Sequence, residues 1–215
     1  MRENDLMIIE RCIENKNEKL DVKEEPFEKL MFFYKSALKQ LELQMNIIKD
    51  EFKLIYNYDL IDHIDTRIKE PKSIVKKMEK KKYDKTYLNL IEKINDIAGI
   101  RIVCTLKDDI FFIRDLVKQI PDIHVLKEKD YVTNPKESGY SSYHMIVEVP
   151  VKLTQKTIYV KCEIQIRTLA MDFWASFEHK VKYKTKNDVN PKMSKELVSC
   201  AKIINKFDTK MINYK

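Results

Sequence analysis

Glycine occurs only twice in the 215 residues, at Gly99 and Gly139, where average usage would give about 15. Glycine permits backbone angles closed to other residues, so in a chain this sparing of it each one marks a demanding position. No apolar run approaches the roughly 18 residues of a transmembrane helix, so no membrane partner is expected. The opening stretch MRENDLMIIERCIENKNEKL lacks the uninterrupted apolar core of a signal peptide. Cys12, Cys104, Cys162 and Cys200 show no paired spacing, which argues against disulfides and zinc and for reduced thiols in a cytoplasmic protein. Internal repeats and low-complexity segments are also missing.

Hydrophobic residues make up 44% and charged residues 35%, the balance of a globular domain with helical extensions. The net charge of +7 is unevenly spread. Residues 67–87 hold nine Lys/Arg against three Asp/Glu, and residues 180–215 hold ten against three. Such patches attract phosphate on a nucleotide, RNA or a membrane surface, or are simply solvated lysine faces.

From Phe27 the apolar residues fall at Met31, Tyr34, Leu38, Leu41, Met45, Ile48, Phe52 and Ile55. This alternating spacing of four and three predicts one long amphipathic helix, packed on the protein's own body or on another subunit. Pro71 opens a helix, KSIVKKMEKKK, ending near Tyr83, with Ser73, Lys77 and Lys80 or Lys81 on one face. A short helix over Tyr87 to Ile94 follows. IAGIRIVCTL (97–106), HVLKEKDYV, YHMIVEVPV and TIYVKCEIQIR read as strands. DDIFFIRDLVKQI reads as a helix capped at Asp108 or Asp109, and LAMDFWASFEHKVKY and residues 192–211 as closing helices. The order predicts an α+β fold with a mixed or antiparallel sheet.

Four polar groupings interrupt these patterns. Arg67-Ile-Lys69 leads into the lysine-faced helix with Ser73 near its start, an anion site suited to a polyphosphate. Asp96 precedes a buried-looking strand that contains Gly99 and Arg101; it reads either as a cap or as a carboxylate for Mg²⁺. Gly99 suggests close approach of a ligand or another backbone. In ESGYSSYH, preceded by Lys129 and Lys136, a turn through Gly139 would present Tyr140 as a platform for a purine, with Lys136 and His144 reaching its phosphates; taken singly, Tyr140 reads rather as a core residue at a strand start and His144 as a structural histidine. Along Cys162 to Arg167, Glu163, Gln165 and Arg167 share one strand face, which is either solvated or one wall of a cleft.

DIAGIRIVC, ESGYSSYH and EIQIRTLAMDFWASFEH, in this order and spacing, resemble the RelA/SpoT-type alarmone synthetase domain, most closely the small stand-alone synthetases. The resemblance covers roughly residues 60 to 184 and implies a nucleotidyltransferase-like domain at 59–186, flanked by an N-terminal helical extension at 1–58 and a C-terminal helix at 187–215. The implied activity is transfer of the β,γ-pyrophosphate of ATP to the ribose 3′-hydroxyl of GDP or GTP. On that resemblance Arg67 and Arg101 sandwich the adenine, and Lys69, Ser73, Lys77 and Lys80 hold ATP's phosphates. Asp96 ligates Mg²⁺ with Glu163 close to the same ion. Tyr140 stacks on guanine, Lys129, Lys136 and His144 bind the acceptor's phosphates, and Gln165 and Asp172 are further acceptor contacts. Glu163 is the general base.

Two positions depart from the family pattern: Ser141, where many relatives carry arginine, and Asp172, where short relatives often carry asparagine. The resemblance and the long seam favour a homo-oligomer, most simply a tetramer. Hydrolysis of alarmones, which longer relatives perform at a His-Asp metal site, is not expected, because none of the four histidines is followed by aspartate. The alternative is a catalytically inactive RNA-binding or regulatory module that uses the basic segments; RNA binding could also accompany the enzyme as a secondary property.

Overall fold

The computed structural model describes residues 18–184 and 190–212. Its elements in chain order are α1 (Glu25–Ile55), β1 (His63–Ile68), α2 (Pro71–Lys80), α3 (Tyr87–Lys93), β2 (Ala98–Cys104), α4 (Lys107–Gln119), β3 (His124–Asp130), β4 (Tyr143–Lys152), β5 (Thr157–Thr168), α5 (Leu169–Lys184) and α6 (Pro191–Met211). Among the described residues, six helices and one five-stranded sheet make the expected α+β fold. Cys12 and the expected domain boundary at residues 186 and 187 lie outside the described residues.

The strands lie in the order β1-β2-β5-β4-β3. Only the β2–β5 pair is parallel, and the other three pairs are antiparallel, so the sheet is mixed. Strand β1 was not anticipated. HIDTRI has three charged or polar residues in its middle and is largely exposed; it is a strand because β2 offers it an edge, with Arg67 opposite Gly99 and Asp65 opposite Arg101.

The long seam on α1 has its explanation inside the molecule. Phe27, Met31, Tyr34, Leu38, Leu41, Met45 and Ile48 are all buried, and the helix lies across β1, β2, β4 and β5. Cys162, Ile164 and Ile166 are buried on β5, alternating with Glu163 and Gln165, so one sheet face is core and the other is available for chemistry. Burial pushes the Cys162 thiol up to about 12, which makes it an apolar packing group. Ile55, the last expected seam residue, is 72% exposed, as the helix has by then run past the sheet.

Helix α4 begins at Lys107, one residue before the expected caps. The Asp109 carboxylate, already within the first turn, accepts the Leu106 backbone N–H at 3.3 Å.

Helix α6 closes the fold through a buried polar contact. The Thr168 hydroxyl donates to Asp208 at 2.8 Å and accepts the Met171 backbone N–H at 3.1 Å, so it caps α5 while docking α6. Burial raises the Asp208 carboxyl above its ordinary range, against the hydrogen bond from Thr168 and the attraction of Lys107. A carboxyl raised in the fold holds its proton more tightly there than in the unfolded chain. Its contribution to stability is therefore complete below the ordinary carboxylate pKa and is lost as pH rises through the raised value. Asp208→Asn keeps an acceptor for Thr168 without that loss. Stability measured by urea denaturation should show the variant gaining on wild type as pH rises from the acid range to neutrality; a difference independent of pH would contradict this.

Candidate functional site

Two rows of residues run across the open face of the sheet. In the first, Arg67 lies opposite Gly99, Gly99 opposite Glu163, and Glu163 opposite Ile146. In the second, Asp65, Arg101, Gln165, His144 and Lys129 follow in the same way from β1 to β3. Period-two alternation along each strand puts both rows on the same face, so residues far apart in sequence form one surface.

That surface carries two adjoining cavities. The first, of about 380 Å³, is lined by Asp65, Thr66, Arg67, Asp96, Gly99, Ile100, Arg101, Glu163 and Gln165. The second, of about 430 Å³, is lined by Asp96, Glu163, His144, Tyr131 and six lysines, at 77, 81, 93, 127, 129 and 136, among others. Asp96 and Glu163 line both, so the two carboxylates stand where the cavities meet. A cavity walled by six lysines suits a polyanion.

Asp96 sits in the turn before β2 and is held by both elements of the first basic segment. Its Oδ2 accepts Lys69 at 3.0 Å and Lys77 at 2.7 Å. Burial alone would raise its pKa, but these two bonds and their charges bring the carboxyl below its usual range. Its Oδ1 is buried without a hydrogen-bond partner among the described residues, an orphaned hard oxygen on a residue that shares both cavities with a second carboxylate, Glu163.

Glu163 Oε2 accepts the Gln165 amide at 2.9 Å, and His144 Nδ1 lies 3.3 Å from Glu163 Oε1. Burial pushes the Glu163 carboxyl up and the nearby Asp96 charge adds to that, yet the bonds from His144 and Gln165 hold it below the ordinary glutamate range. It is thus ionised and oriented at neutral pH, as a proton acceptor must be.

Tyr140 adjoins this pair. Its hydroxyl lies 2.8 Å from His144 Nε2 and accepts Arg167 Nη2 at 2.7 Å. Lys136 Nζ and the Arg167 guanidinium stand 4.7 and 5.1 Å from its ring centroid, so the ring is already a cation–π partner. The turn before it is closed by Gly139 N–H to Lys136 O at 2.8 Å and Lys136 N–H to Tyr140 O at 3.0 Å. Gly139 has φ of 87°, and a Cβ there would lie 2.5 Å from the Ala201 Cβ on α6. This glycine is required twice, by its backbone angle and by the helix packed behind it. Gly99 differs: a Cβ there would meet only ordinary contacts of 3.9 Å to the carbonyls of Arg67 and Glu163, so no backbone crowding demands it.

The structure separates the expected site residues into groups. Arg67, Arg101, Asp96, Glu163 and Gln165 line the first cavity, and Lys77, Lys129, Lys136 and His144 the second. Lys69 and Tyr140 reach them through Asp96 and His144. Ser73 and Lys80 are exposed and line neither cavity. Lys81 lines the second cavity instead, because α2 ends at Lys80 and Lys82 turns to a positive φ of 56°, which breaks the helical spacing. Asp172 also lines neither cavity: its Oδ1 accepts both Arg101 and Arg167. Ser141, where the resemblance predicts an arginine, faces a separate cavity of about 250 Å³ between the Gly139 turn, α5 and α6. Sequence reasoning assigned no role to Arg167, although its place beside Glu163 and Gln165 on one strand face was a usable signal.

A family model described as a region found in RelA / SpoT proteins matches residues 66–188. The chain belongs to the RelA/SpoT family. Among its relatives, GTP pyrophosphokinase YwaC of Bacillus subtilis is 44% identical over 185 residues, which cover 86% of this chain and 88% of that protein. The crystal structure of small alarmone synthetase 2 from Bacillus subtilis matches with a TM-score of 0.80 at 42% identity, covering 88% of this chain and 98% of that one. Small alarmone synthetase 1 from the same organism, bound to its product pppGpp, matches with a TM-score of 0.81 at 31% identity, over 89% and 97% of the two chains. Such full-length agreement makes this RelA/SpoT chain a relative of the short synthetases in fold. Among the described residues, no helix is long and apolar enough to cross a membrane.

Proposed function

We propose that the protein is a GTP pyrophosphokinase: it transfers the β,γ-pyrophosphate of ATP to the ribose 3′-hydroxyl of GDP or GTP, giving ppGpp or pppGpp and AMP. The observation that carries this reading is the pair of adjoining cavities meeting at Asp96 and Glu163. A donor in one and an acceptor in the other would have their reacting groups brought together at the shared carboxylates. Relatives named as GTP pyrophosphokinases and a structural neighbour bound to pppGpp support the substrate class.

In this reading Arg67 and Arg101 offer planar guanidinium groups to the adenine in the first cavity. Lys69 and Lys77 reach the donor's phosphates, and Lys81, Lys129, Lys136 and His144 those of the acceptor. Tyr140 offers its ring to guanine. Glu163 takes the proton of the 3′-hydroxyl as that oxygen bonds to the β-phosphorus; the bridging bond from the β-phosphorus to the α-phosphate's oxygen breaks, and AMP leaves with that oxygen. Two polyphosphates repel each other strongly, so the lysine wall contributes mainly by holding them in line. Asp96, with its orphaned Oδ1, and Glu163 are the residues that would hold Mg²⁺, which when bound offsets charge on the polyphosphate.

The reading includes a homo-oligomer, with a tetramer as the favoured assembly. Its support is the family resemblance and the outer face of α1, where Phe32, Leu43, Ile47 and Leu54 are exposed and fall within about 60° of one another around the helix axis. The functional test is incubation with ATP, Mg²⁺ and GDP or GTP. One AMP should appear for each guanosine nucleotide that gains two phosphates. ADP in place of AMP, or no turnover, would refute the assignment.

A further inference from the structure

We propose that Asp172 and Arg167 couple the two nucleotide subsites, so that a donor bound in the first cavity tightens the acceptor site through two residues that line neither cavity; this rests on the assignment of donor and acceptor to the two cavities. Asp172, in the first turn of α5, is the hinge of the arrangement. Its Oδ1 accepts Arg101 Nη1 at 2.9 Å and Arg167 Nη1 at 3.1 Å, so two guanidinium groups share one carboxylate oxygen. Arg101 lines the first cavity. Arg167 does not, and its side chain is only 8% exposed.

A buried guanidinium needs partners for its fork of donors. Arg167 reaches the acceptor side through Nη2, which donates to the Tyr140 hydroxyl at 2.7 Å and also to Gln165 Oε1, on the first cavity's wall, at 2.8 Å; its Nε points to the Ser142 hydroxyl at 3.4 Å. Tyr140 in turn bonds His144, which bonds Glu163. A continuous path of polar contacts therefore runs from Arg101 in one cavity to Tyr140 and His144 at the other.

Arg101 also has an alternative partner. Asp65, itself part of the first cavity's lining, lies 3.7 Å from the same Nη1. A base seated against Arg101 draws the guanidinium into the cavity and towards Asp65, which leaves Asp172 undivided for Arg167. The fork of Arg167 is then held more firmly, and with it Tyr140 and Gln165. An acceptor meets a better-organised platform and gives up less freedom on binding. By linkage the effect is reciprocal, so a bound acceptor tightens the donor by the same factor. Arg167 and Asp172 act through Arg101 and Tyr140, so they are positioning residues.

The test compares GDP affinity with and without saturating α,β-methylene ATP, which cannot undergo the transfer, in wild type and Asp172→Asn. Phosphate repulsion is common to both proteins, so the readout is the ratio of their coupling factors. We expect the wild-type factor to exceed the variant's by at least about five-fold, the lower end of common coupling. Equal factors would overturn the proposal. If the variant does not fold, wild type decides alone: the analogue without GDP should slow amide hydrogen exchange over residues 139–144, and unchanged exchange there would overturn it. Wild type that binds neither nucleotide would refute the subsite assignment itself, and the coupling with it.

Discussion

Glu163→Gln should lower kcat by about 10²–10⁴-fold, the usual range for loss of a general base, while the KM for each nucleotide changes by less than about ten-fold. That loss corresponds to roughly 3–5 kcal/mol of transition-state stabilisation. Glutamine keeps the shape of the side chain and can still accept the Gln165 amide, now 2.9 Å from Glu163 Oε2; what it cannot do is take a proton. The substitution also removes a charge that His144 and Gln165 favour in the fold, holding the Glu163 carboxyl below its ordinary range, so the melting temperature should fall modestly at neutral pH and less in acid. Steady-state kinetics for both substrates, alongside a thermal melt, check this. A kcat within ten-fold of wild type would remove Glu163 from the role of base.

Gly139→Ala should be damaging out of proportion to the single carbon added. Backbone angles of this kind cost a residue with a Cβ about 1–3 kcal/mol, and φ here is 87°. The new Cβ would also stand 2.5 Å from the Ala201 Cβ. Ala201 belongs to α6, which Asp208 and Thr168 hold in place, so the turn rather than the helix must give. Tyr140 follows directly, and its displacement should raise the KM for the guanosine nucleotide by about ten-fold or more, with a smaller change for ATP. Gly99→Ala provides the contrast: its Cβ meets nothing closer than 3.9 Å, and stability should hold. Ala201→Gly combined with Gly139→Ala should recover part of the acceptor KM, since it relieves the contact and leaves the backbone strain. Equal loss of stability in the two glycine variants would contradict the account of Gly139.

The contrast between the two glycines also shows how far the sequence could be read. Rarity flagged both, and the turn around Gly139 was legible from its neighbours. The Ala201 contact was not, because it spans 62 positions and depends on where α6 docks. Strand β5 was readable because alternation of Cys162, Ile164 and Ile166 with Glu163, Gln165 and Arg167 is local. Strand β1 was hidden for the opposite reason: a short, charged edge strand has little intrinsic pattern and takes its conformation from β2.

The same logic separates the lysines. Spacing on a helix identified Lys77 but not the choice between Lys80 and Lys81, which depends on how the helix ends. Asp172 entered as an acceptor contact through resemblance alone; its two arginine partners, 71 and 5 residues away, are a property of the assembled sheet and α5. Glu163 and Asp96 were legible as chemistry, but their place at the meeting of two cavities required the fold.

The central claim, pyrophosphate transfer rather than ordinary phosphate transfer, is tested most directly by following the label from two forms of ATP, one radioactive at the β-phosphorus and the other at the γ-phosphorus. With GDP or GTP as acceptor, both labels should appear together on the guanosine nucleotide at its 3′ position, leaving unlabelled AMP. Transfer of the γ label alone, with the β label retained in ADP, would contradict the account.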